Sequence, residues 1–336
     1  MKCIVVGRVH QRTAVPIQAF PVQASPVPTR TEGIRHFVGG AAFASARTLA
    51  ALGNEVFLAA PLGEDYPTAL VDTQAFRFRI STHLCPRILQ RTPRAVVLCD
   101  PHGHCHIMED PGDDRPLSVQ ADDLQPELAD ADLLVITDPN IAPELLGSAA
   151  DSPLTTAVDL QAVTPDIFVP TSRAYQRRVA PFRQADIIAA SAQFIPEGSR
   201  LARFLAASTA ARIIIITQAE NGCLVMERDE RGEWPSGPTH LQVPPVPAVA
   251  GLDAGDTFLA TFAHRLIVEG NPAVAAASYA NRVTAAVIAA AWNDFPGGID
   301  QLSRLIAQAA APDASIAARA AATATSQSPR RLVVNQ

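Results

Sequence analysis

Short, continuous apolar runs recur along this chain, and they constrain its fold more than any other feature. They are "KCIVVG", "EVFLAAPLG", "DADLLVITD", "TTAVDLQ", "ADIIAAS" and "ARIIIITQ", and helical or polar segments separate them. An unbroken apolar run of strand length is typical of a parallel strand that is covered on both faces. The alternation therefore predicts an α/β fold with a mainly parallel central sheet flanked by helices.

Two stretches break this alternation of strands and helices. Residues 8–37 are rich in Val, Gln, Thr and Pro, and residues 87–112 contain two strand-like runs around the turn "DPHG". These features predict antiparallel excursions from the main sheet that together form one small β-sheet lid. The main domain would span residues 1–312, with a loose C-terminal tail over residues 313–336.

Composition and charge argue against several classes of function. The chain has 336 residues, 48% of them hydrophobic, and a net charge of −6, so it gives no reason to expect a nucleic-acid or acidic-membrane partner. No apolar run approaches the roughly 18 residues that indicate a membrane-spanning helix. The five cysteines are scattered and odd in number, which favours a reduced, cytoplasmic protein.

The segment "VAGLDAGDTFLATF" is the most informative one for function. Small residues at Ala250, Gly251, Ala254 and Gly255 allow close approach to the backbone, and the apolar run that follows has helical spacing. Ala254, Gly255 and Asp256 are therefore predicted at a helix N-terminus, where N–H groups and the helix dipole attract an anion. Asp256 could cap this helix, or it could accept a proton from a substrate hydroxyl beside a bound phosphate.

Together with two other motifs, this segment resembles the ribokinase-like (PfkB-type) carbohydrate kinases. "VGGAAFASARTLAALGNEVFLAAPLGED" is similar to their first signature, and "IIIITQAENG" is similar to their nucleotide segment, Thr-x-Gly-x-x-Gly. "AGLDAGDTFLATF" resembles their second signature, Asp-Thr-x-Gly-Ala-Gly-Asp-x-Phe. The resemblance spans about residues 2–310, and the order of the motifs and the placing of the lid insertions match as well.

The resemblance implies transfer of phosphate from ATP to a hydroxyl of a small sugar or sugar-derived substrate. Asp256 would be the catalytic base, and Asp253, Ala254 and Gly255 would form the anion hole for the transferred group. Mg²⁺ would bridge the phosphates of ATP, and the lid would close over the substrate and exclude water. The nucleotide-binding positions would be Thr217, Ala219, Gly222, Gly251 and Asn281, and the substrate-binding positions Arg12, Gly39 and Gly40.

Several positions depart from the family pattern around the substrate. Arg12 stands where the family has an Asp that binds sugar hydroxyls, and Ala44 stands where it has an Asn with the same role. Arg12 could bind a carboxylate or phosphate of an acidic substrate, or it could lie at an exposed edge of the lid. Asp253 replaces a glycine and would be unfavourable beside a phosphate unless it turns away or meets Mg²⁺, although Asp tolerates a left-handed backbone.

The metal ligands are not predicted from the sequence. The family segment Asn-x-x-Glu, which helps to organise Mg²⁺, is replaced by Ser191-Ala192-Gln193-Phe194, so its carboxylate is missing. This loss leaves a second hypothesis open, in which the chain is a non-catalytic protein of the same fold that binds a nucleotide or another metabolite.

The second lid segment carries a cluster of histidines in "PHGHCHIMED". His104 and His106 would share a face of a strand, but their spacing fits no strong zinc pattern, so a polar hairpin is the better interpretation. An exposed lid sheet could also pair with a second copy of the chain and form a homodimer.

Overall fold

The computed structural model describes residues 1–22, 33–113, 118–125, 127–149, 153–246, 251–289 and 295–310. Two β-sheets and eight α-helices lie within these ranges. The helices are α1 (Ala41–Ala51), α2 (Tyr66–Arg77), α3 (Leu145–Ala149), α4 (Arg173–Arg178), α5 (Gly198–Ser208), α6 (Ala254–Ile267), α7 (Ala273–Ala289) and α8 (Gly298–Ala310). The expected C-terminal tail, residues 313–336, lies outside the described residues.

The larger sheet contains nine strands within the described ranges. They are β1 (Lys2–Val6), β4 (Glu55–Ala59), β5 (Ile80–Ser81), β8 (Leu133–Ile136), β9 (Thr155–Ala162), β10 (Ile187–Ser191), β11 (Ile213–Thr217), β12 (Cys223–Glu227) and β13 (Thr239–Leu241). Their order is β13-β12-β11-β10-β9-β8-β1-β4-β5. All neighbours are parallel except β11–β12 and β12–β13. The predicted mainly parallel sheet is therefore confirmed.

Helices on both faces of this sheet explain why its strands are continuously apolar. Along β11, Ile213 and Ile215 belong to one buried cluster, which includes Phe258 of α6. Ile214 and Ile216 face the other way, into a second cluster that includes Leu201 of α5. Since each face of the strand meets its own layer of helices, neither face tolerates polar residues.

The smaller sheet is built from four strands of the described chain. They are β2 (His10–Pro16), β3 (Arg35–Gly39), β6 (Arg94–Cys99) and β7 (Cys105–Asp110), in the order β3-β2-β6-β7. The β2–β3 and β6–β7 pairs are antiparallel, as expected, but β2 and β6 are parallel. The two predicted excursions thus form one sheet, and the prediction that it is antiparallel is wrong at the β2–β6 junction. Residues 23–32 of the first excursion lie outside the described residues.

A disulfide closes the β6–β7 hairpin. Cys99 and Cys105 are directly opposite each other in the register, with their Cα atoms 4.2 Å apart, and they are bonded. The prediction of fully reduced cysteines is therefore wrong for this pair, because the hairpin turn brings the two thiols together. Cys3, Cys85 and Cys223 are free and buried. Cysteine content by itself thus no longer supports a cytoplasmic location.

Neither a membrane span nor a metal cluster occurs in the described part of the chain. None of its helices is both long enough and apolar enough to cross a membrane. No group of three or more His, Cys, Asp or Glu side chains in these ranges is arranged to hold a metal ion. In the lid hairpin, His104 Nδ1 lies 2.9 Å from Asp100 Oδ2, which supports the polar-hairpin interpretation.

Candidate active site

The candidate site lies where the turn before α6 meets the central strands and the small sheet. Asp159 lies near the carboxyl end of β9, and a Cβ built on Gly255 would be 3.9 Å from its Oδ2 atom. Ligands of open α/β sheets bind outside the carboxyl ends of the parallel strands. The placement of the turn against β9 is therefore the one expected of a binding site.

The turn before α6 has a left-handed residue at its centre. Asp253 has φ 58° and ψ 20°, and its carbonyl accepts a hydrogen bond from the N–H of Thr257 at 3.1 Å. Because α6 begins at Ala254, the N–H groups of Ala254, Gly255 and Asp256 lie in its first turn, where no intrahelical acceptor exists. A helix N-terminus is therefore present where the sequence predicts one, and the N–H of Ala254 donates to the carbonyl oxygen of Gly251 at 3.4 Å. Binding of an anion there stays a prediction.

Asp256 lies inside the first turn of α6 and not at its cap. Asp253 takes the N-cap position, and its side chain makes no capping hydrogen bond. The capping hypothesis for Asp256 is therefore wrong. The residue is only 9% exposed, and its backbone carbonyl accepts a hydrogen bond from Ser45 Oγ at 3.3 Å, which ties α6 to α1.

Arg12 reaches from the small sheet to the turn before α6. Its two terminal nitrogens donate to the carboxylate of Asp253 at 2.9 and 2.8 Å, and a terminal nitrogen of Arg47 on α1 lies 3.6 Å from the same carboxylate. Arg12 is only 3% exposed, so the hypothesis that it lies at an exposed lid edge is wrong. Asp253 turns toward these two arginines, which is one of the two arrangements expected to make a carboxylate tolerable beside a phosphate.

The two glycines predicted to bind substrate, Gly39 and Gly40, leave space for neighbouring groups. A Cβ on Gly39 would lie 2.4 Å from Arg12 Nε, so a side chain there would collide with the guanidinium group. Gly40 has φ 105°, and a Cβ there would lie 2.5 Å from the carbonyl oxygen of Arg8. Both glycines therefore shape the junction between the small sheet and α1.

The buried carboxylates have widely different proton affinities. Burial raises the pKa of Asp256 well above its usual range, and the carboxylates of Asp159 and Asp253 raise it further, whereas Arg12 and Arg47 oppose this shift. Burial also raises the pKa of Asp159, to about 6. Burial acts in the same direction on Asp253, but Arg12 and Arg47 outweigh it and lower the pKa of Asp253 to about 2. Asp253 is thus held ionised, whereas Asp256 binds its proton more tightly than an ordinary carboxyl group does.

A groove of about 370 Å³ lies between the segment after β13 and α7. It is lined by Leu241, Gln242, Val243, Pro244, Pro245, Ser278 and Arg282. Asn281 stands behind its wall and donates from its amide nitrogen to the carbonyl oxygens of Leu241 and Gln242, at 3.5 and 3.2 Å. Asn281 therefore does not line the groove, but its two hydrogen bonds hold one wall of the groove in place.

The other predicted nucleotide positions form the loop next to this wall. β11 ends at Thr217, and Ala219 and Gly222 both have positive φ, of 49° and 82°. A Cβ on Gly222 would lie 2.0 Å from the carbonyl oxygen of Leu241. Gly251, before the left-handed turn, has no atom of the described residues within 4 Å of a built Cβ.

The segment Ser191-Ala192-Gln193-Phe194, which replaces the family's Asn-x-x-Glu, begins at the last residue of strand β10. β10 ends at Ser191, whose Oγ accepts a hydrogen bond from Gln193 N at 3.3 Å. Ala192 N donates to the carbonyl of Thr217, which links this segment to the end of β11. Ala44, at the position of the second polar residue of the family, is 1% exposed within α1.

Sequence reasoning missed two residues at this site, Asp159 and Arg47. Asp159 is the only charged residue in the apolar run "TTAVDLQ", and its position near the carboxyl end of a predicted parallel strand could have revealed it. Arg47 is the only charged residue in the helix "GAAFASARTLAALG", and it is 2% exposed in the structure. A charge within an otherwise apolar helix was the available signal, because a buried charge needs a partner.

Comparisons with known proteins agree with this architecture. The chain is similar to a microbiome-derived acarbose kinase, with 18% identity, a TM-score of 0.74, and coverage of 91% of this chain and 99% of that one. It is similar to ribokinase from Thermotoga maritima, with 18% identity, a TM-score of 0.65 and the same coverages. Ribokinase from Arabidopsis thaliana, in complex with ribose and ATP, has 15% identity and a TM-score of 0.65, with 93% of this chain and 99% of that one covered.

These structural likenesses show a shared fold, a large and mostly parallel sheet with a small separate one. No curated protein sequence matches the chain closely enough to show a relationship. The family comparison is decisive, because the description "pfkB family carbohydrate kinase" matches residues 2–291, which is most of the chain. The chain therefore belongs to the pfkB family of carbohydrate kinases.

Proposed function

We propose that the protein transfers the γ-phosphoryl group of ATP to a hydroxyl of a small sugar or sugar-derived molecule. The observation that carries this proposal is the buried Asp256 in the first turn of α6, next to N–H groups that suit a phosphate. The similar structures include an acarbose kinase and a ribokinase that holds ribose and ATP. Their names support a sugar-like substrate for this chain.

Asp256 is proposed as the base that accepts the proton of the substrate hydroxyl. The oxygen freed of its proton attacks the γ-phosphorus, and the bond from this phosphorus to the bridging oxygen of ADP breaks. The N–H groups of Ala254, Gly255 and Asp256 stabilise the charge on the transferred group. A carboxylate whose pKa is raised above its usual range binds a proton more strongly than an ordinary one, which favours this role.

The described residues fit ATP at two places. The groove between Leu241–Pro245 and α7 suits a flat base, because Pro244 and Pro245 give it an apolar wall. The N-terminus of α6 suits the phosphates. Asp159, beside Gly255, offers the hard oxygen donor that Mg²⁺ prefers, and Mg²⁺ bound to ATP neutralises charge on the phosphate oxygens.

The small sheet is proposed to act as a lid and as a dimer surface. As a lid it excludes water, which would otherwise compete with the sugar for the phosphoryl group. Its outer strand β7 exposes Ile107 and Met108, at 44% and 47%, and has one unpaired edge in the described chain. Light scattering on the eluted protein is expected to show a dimer, and a monomer at micromolar concentration would contradict this part of the proposal.

The experiment that tests the activity uses Mg²⁺ and ATP labelled at the γ-phosphate. The purified protein is incubated with sugars, sugar acids, sugar phosphates and nucleosides, and label transfer is measured. Asp256→Asn is expected to abolish transfer, with a loss of at least about 10²-fold. Asp300→Asn is the matched control, because Asp300 is also the third residue of its helix, α8, but is exposed and outside the site.

The possible outcomes separate the two hypotheses. Transfer that Asp256→Asn abolishes and Asp300→Asn preserves would support the kinase. Nucleotide binding by calorimetry without transfer to any compound would favour the non-catalytic binding protein. An absence of both transfer and nucleotide binding would refute the proposed function.

A further inference from the structure

A buried ion cluster joins the small sheet to the turn before α6. Arg12 holds Asp253 with both terminal nitrogens, and Arg47 approaches the same carboxylate from α1. The exposed fractions of the Arg12, Arg47 and Asp253 side chains are 4%, 3% and 7%. A two-pronged pair of this kind fixes orientation as well as distance, and breaking it leaves a charge stranded in the interior.

The small sheet is built closely around Arg12. Its guanidinium carbon lies 5.7 Å from the centre of the Phe37 ring, and its Nε donates to His10 Nε2 at 3.3 Å. Burial and then the charge of Arg12 lower the pKa of His10 to about 3, so His10 is neutral and can accept this hydrogen bond. Gly39 leaves the space that the guanidinium group fills. The arginine is therefore contacted by His10 of β2 and Phe37 of β3, in a space that Gly39 leaves free.

The other end of the bridge is the left-handed residue that sets the shape of the anion-binding turn. Asp253 directly precedes the first N–H groups of α6 and lies three positions before Asp256. Fixing its carboxylate restrains its backbone, and its backbone directs those N–H groups. A displacement of the small sheet would therefore be transmitted to the turn through this pair of side chains, beside the apolar packing of Leu252 against Val97 and Cys99 of β6.

We propose that Arg12 is a positioning residue, whose bridge to Asp253 couples the small sheet to the anion-binding turn and sets the charge around Asp256. The part that concerns Asp256 rests on the phosphoryl transfer proposed above. The mechanical coupling does not, because it concerns only the folded protein.

The charges around Asp256 make this role testable, because removing a positive or a negative one should shift the pKa of Asp256 in opposite directions. They come from Asp159 on β9, from Asp253 on the turn, from Arg12 on β2 and from Arg47 on α1. Arg12→Met removes a positive charge and should move the pKa of Asp256 upward. Asp253→Asn removes a negative charge and should move it downward, while Asn still tolerates the left-handed backbone. Simple damage to the fold would not produce opposite shifts.

The coupling is tested by hydrogen exchange on the full chain, without any need for activity. Arg12→Met is expected to speed exchange in β2 and also in the segment 251–258. Arg87→Met is the matched control, because Arg87 holds Asp72 of α2 with N–O distances of 2.8 and 2.9 Å, away from this turn. The control should speed exchange near α2 alone. Unchanged exchange in 251–258 of a folded Arg12→Met protein would overturn the coupling.

The role toward Asp256 is tested by the pH dependence of transfer. Arg12→Met is expected to lower kcat at neutral pH by about tenfold or more and to move the acidic limb of the rate profile to higher pH. Asp253→Asn should move the limb to lower pH. Shifts in the same direction, or none, would overturn this role. If Arg12→Met fails to fold, Arg12→Lys is used, since it keeps the charge but loses the two-pronged geometry. This variant should speed hydrogen exchange in 251–258 without moving the acidic limb of the rate profile to higher pH.

The two proposals fail in distinguishable ways. A wild-type protein that neither transfers phosphate nor binds nucleotide would refute the proposed function, and hydrogen exchange would still decide the coupling. A wild-type protein that transfers phosphate, together with an Arg12→Met variant of unchanged kcat and unchanged exchange in 251–258, would refute the role of Arg12 alone.

Discussion

Gly222→Ala is predicted to destabilise the protein through a backbone collision next to the candidate nucleotide groove. Gly222 has φ 82°, and a Cβ there would lie 2.0 Å from the carbonyl oxygen of Leu241 and 3.0 Å from Cα of Gln242. Both atoms belong to the backbone, so no side-chain rotation relieves the contact. The collision would push β12 away from the end of β13, and with it the wall that Asn281 holds.

The magnitude follows from two separate costs. A backbone at φ 82° and ψ −134° lies in a region that is essentially restricted to glycine and costs an alanine about 1–3 kcal/mol, and inserting an extra carbon into a packed region costs about 1–3 kcal/mol. Gly222→Ala should therefore lower the free energy of unfolding by about 2–6 kcal/mol. Gly232→Ala is the matched control, since Gly232 has φ 78° but no atom of the described residues lies within 4 Å of a built Cβ. Gly232→Ala should lose only the backbone cost and not the cost of the added carbon in a packed region.

Urea unfolding of the two variants and the wild type measures these costs. The difference between the variants isolates the contact with Leu241. We also expect Gly222→Ala to weaken ADP binding, measured by calorimetry, more than Gly232→Ala does, because the groove wall moves. Equal losses of stability in both variants would refute the reasoning, since they would show that β12 and β13 yield to the added carbon at no cost.

Three further predictions concern the disulfide, the buried carboxylates and the groove. Reduction of the Cys99–Cys105 disulfide, or the substitution Cys99→Ser, is expected to lower the free energy of unfolding by about 2 kcal/mol, since the bond closes a short loop. Urea denaturation with and without a reductant measures this loss, and identical unfolding curves would contradict it. Burial raises the pKa of Asp159 from an ordinary value of 3.8 to about 6. The folded protein therefore binds this proton more tightly than the unfolded chain does. The resulting stabilisation is complete below about pH 4 and is lost as the pH rises through about 6. Asp159→Asn should therefore raise Tm at about pH 8 and leave it unchanged below about pH 4, and a Tm difference that persists in acid would argue against the shift. Asn281→Ala is expected to weaken ADP binding about fivefold or more in calorimetry, because the wall of the groove loses its amide donor; unchanged affinity would show that the wall stands without it.

The fold was predictable because its pattern is local. The run Ile213–Ile216 is long enough for a strand and apolar on both faces, so it requires a covered sheet whatever the rest of the chain does. The "DPHG" turn likewise indicates the β6–β7 hairpin by itself. The parallel junction of β2 with β6 was not predictable, since pairing between distant strands leaves no periodic trace in either segment.

Local features of the candidate site were predictable from the sequence, but its long-range contacts were not. The turn Asp253–Asp256 was found because small residues followed by a helical apolar run are a local signal. Arg12 and Asp253 were each recognised as unusual, but 241 positions separate them, and no rule of spacing joins them. Complementary charges at two such positions are evident only once the small sheet has been placed against α6.

The parallel pairing of β2 with β6 also has a consequence for the order in which the chain folds. Parallel neighbours need a crossover connection, and here the connection runs through β3, α1, β4, α2 and β5. The small sheet is thus completed only after the chain has returned from building one edge of the large sheet. Because distant pairings form slowly, the ion pair that reaches into the candidate site, which joins residues 241 positions apart, should form among the last contacts on refolding.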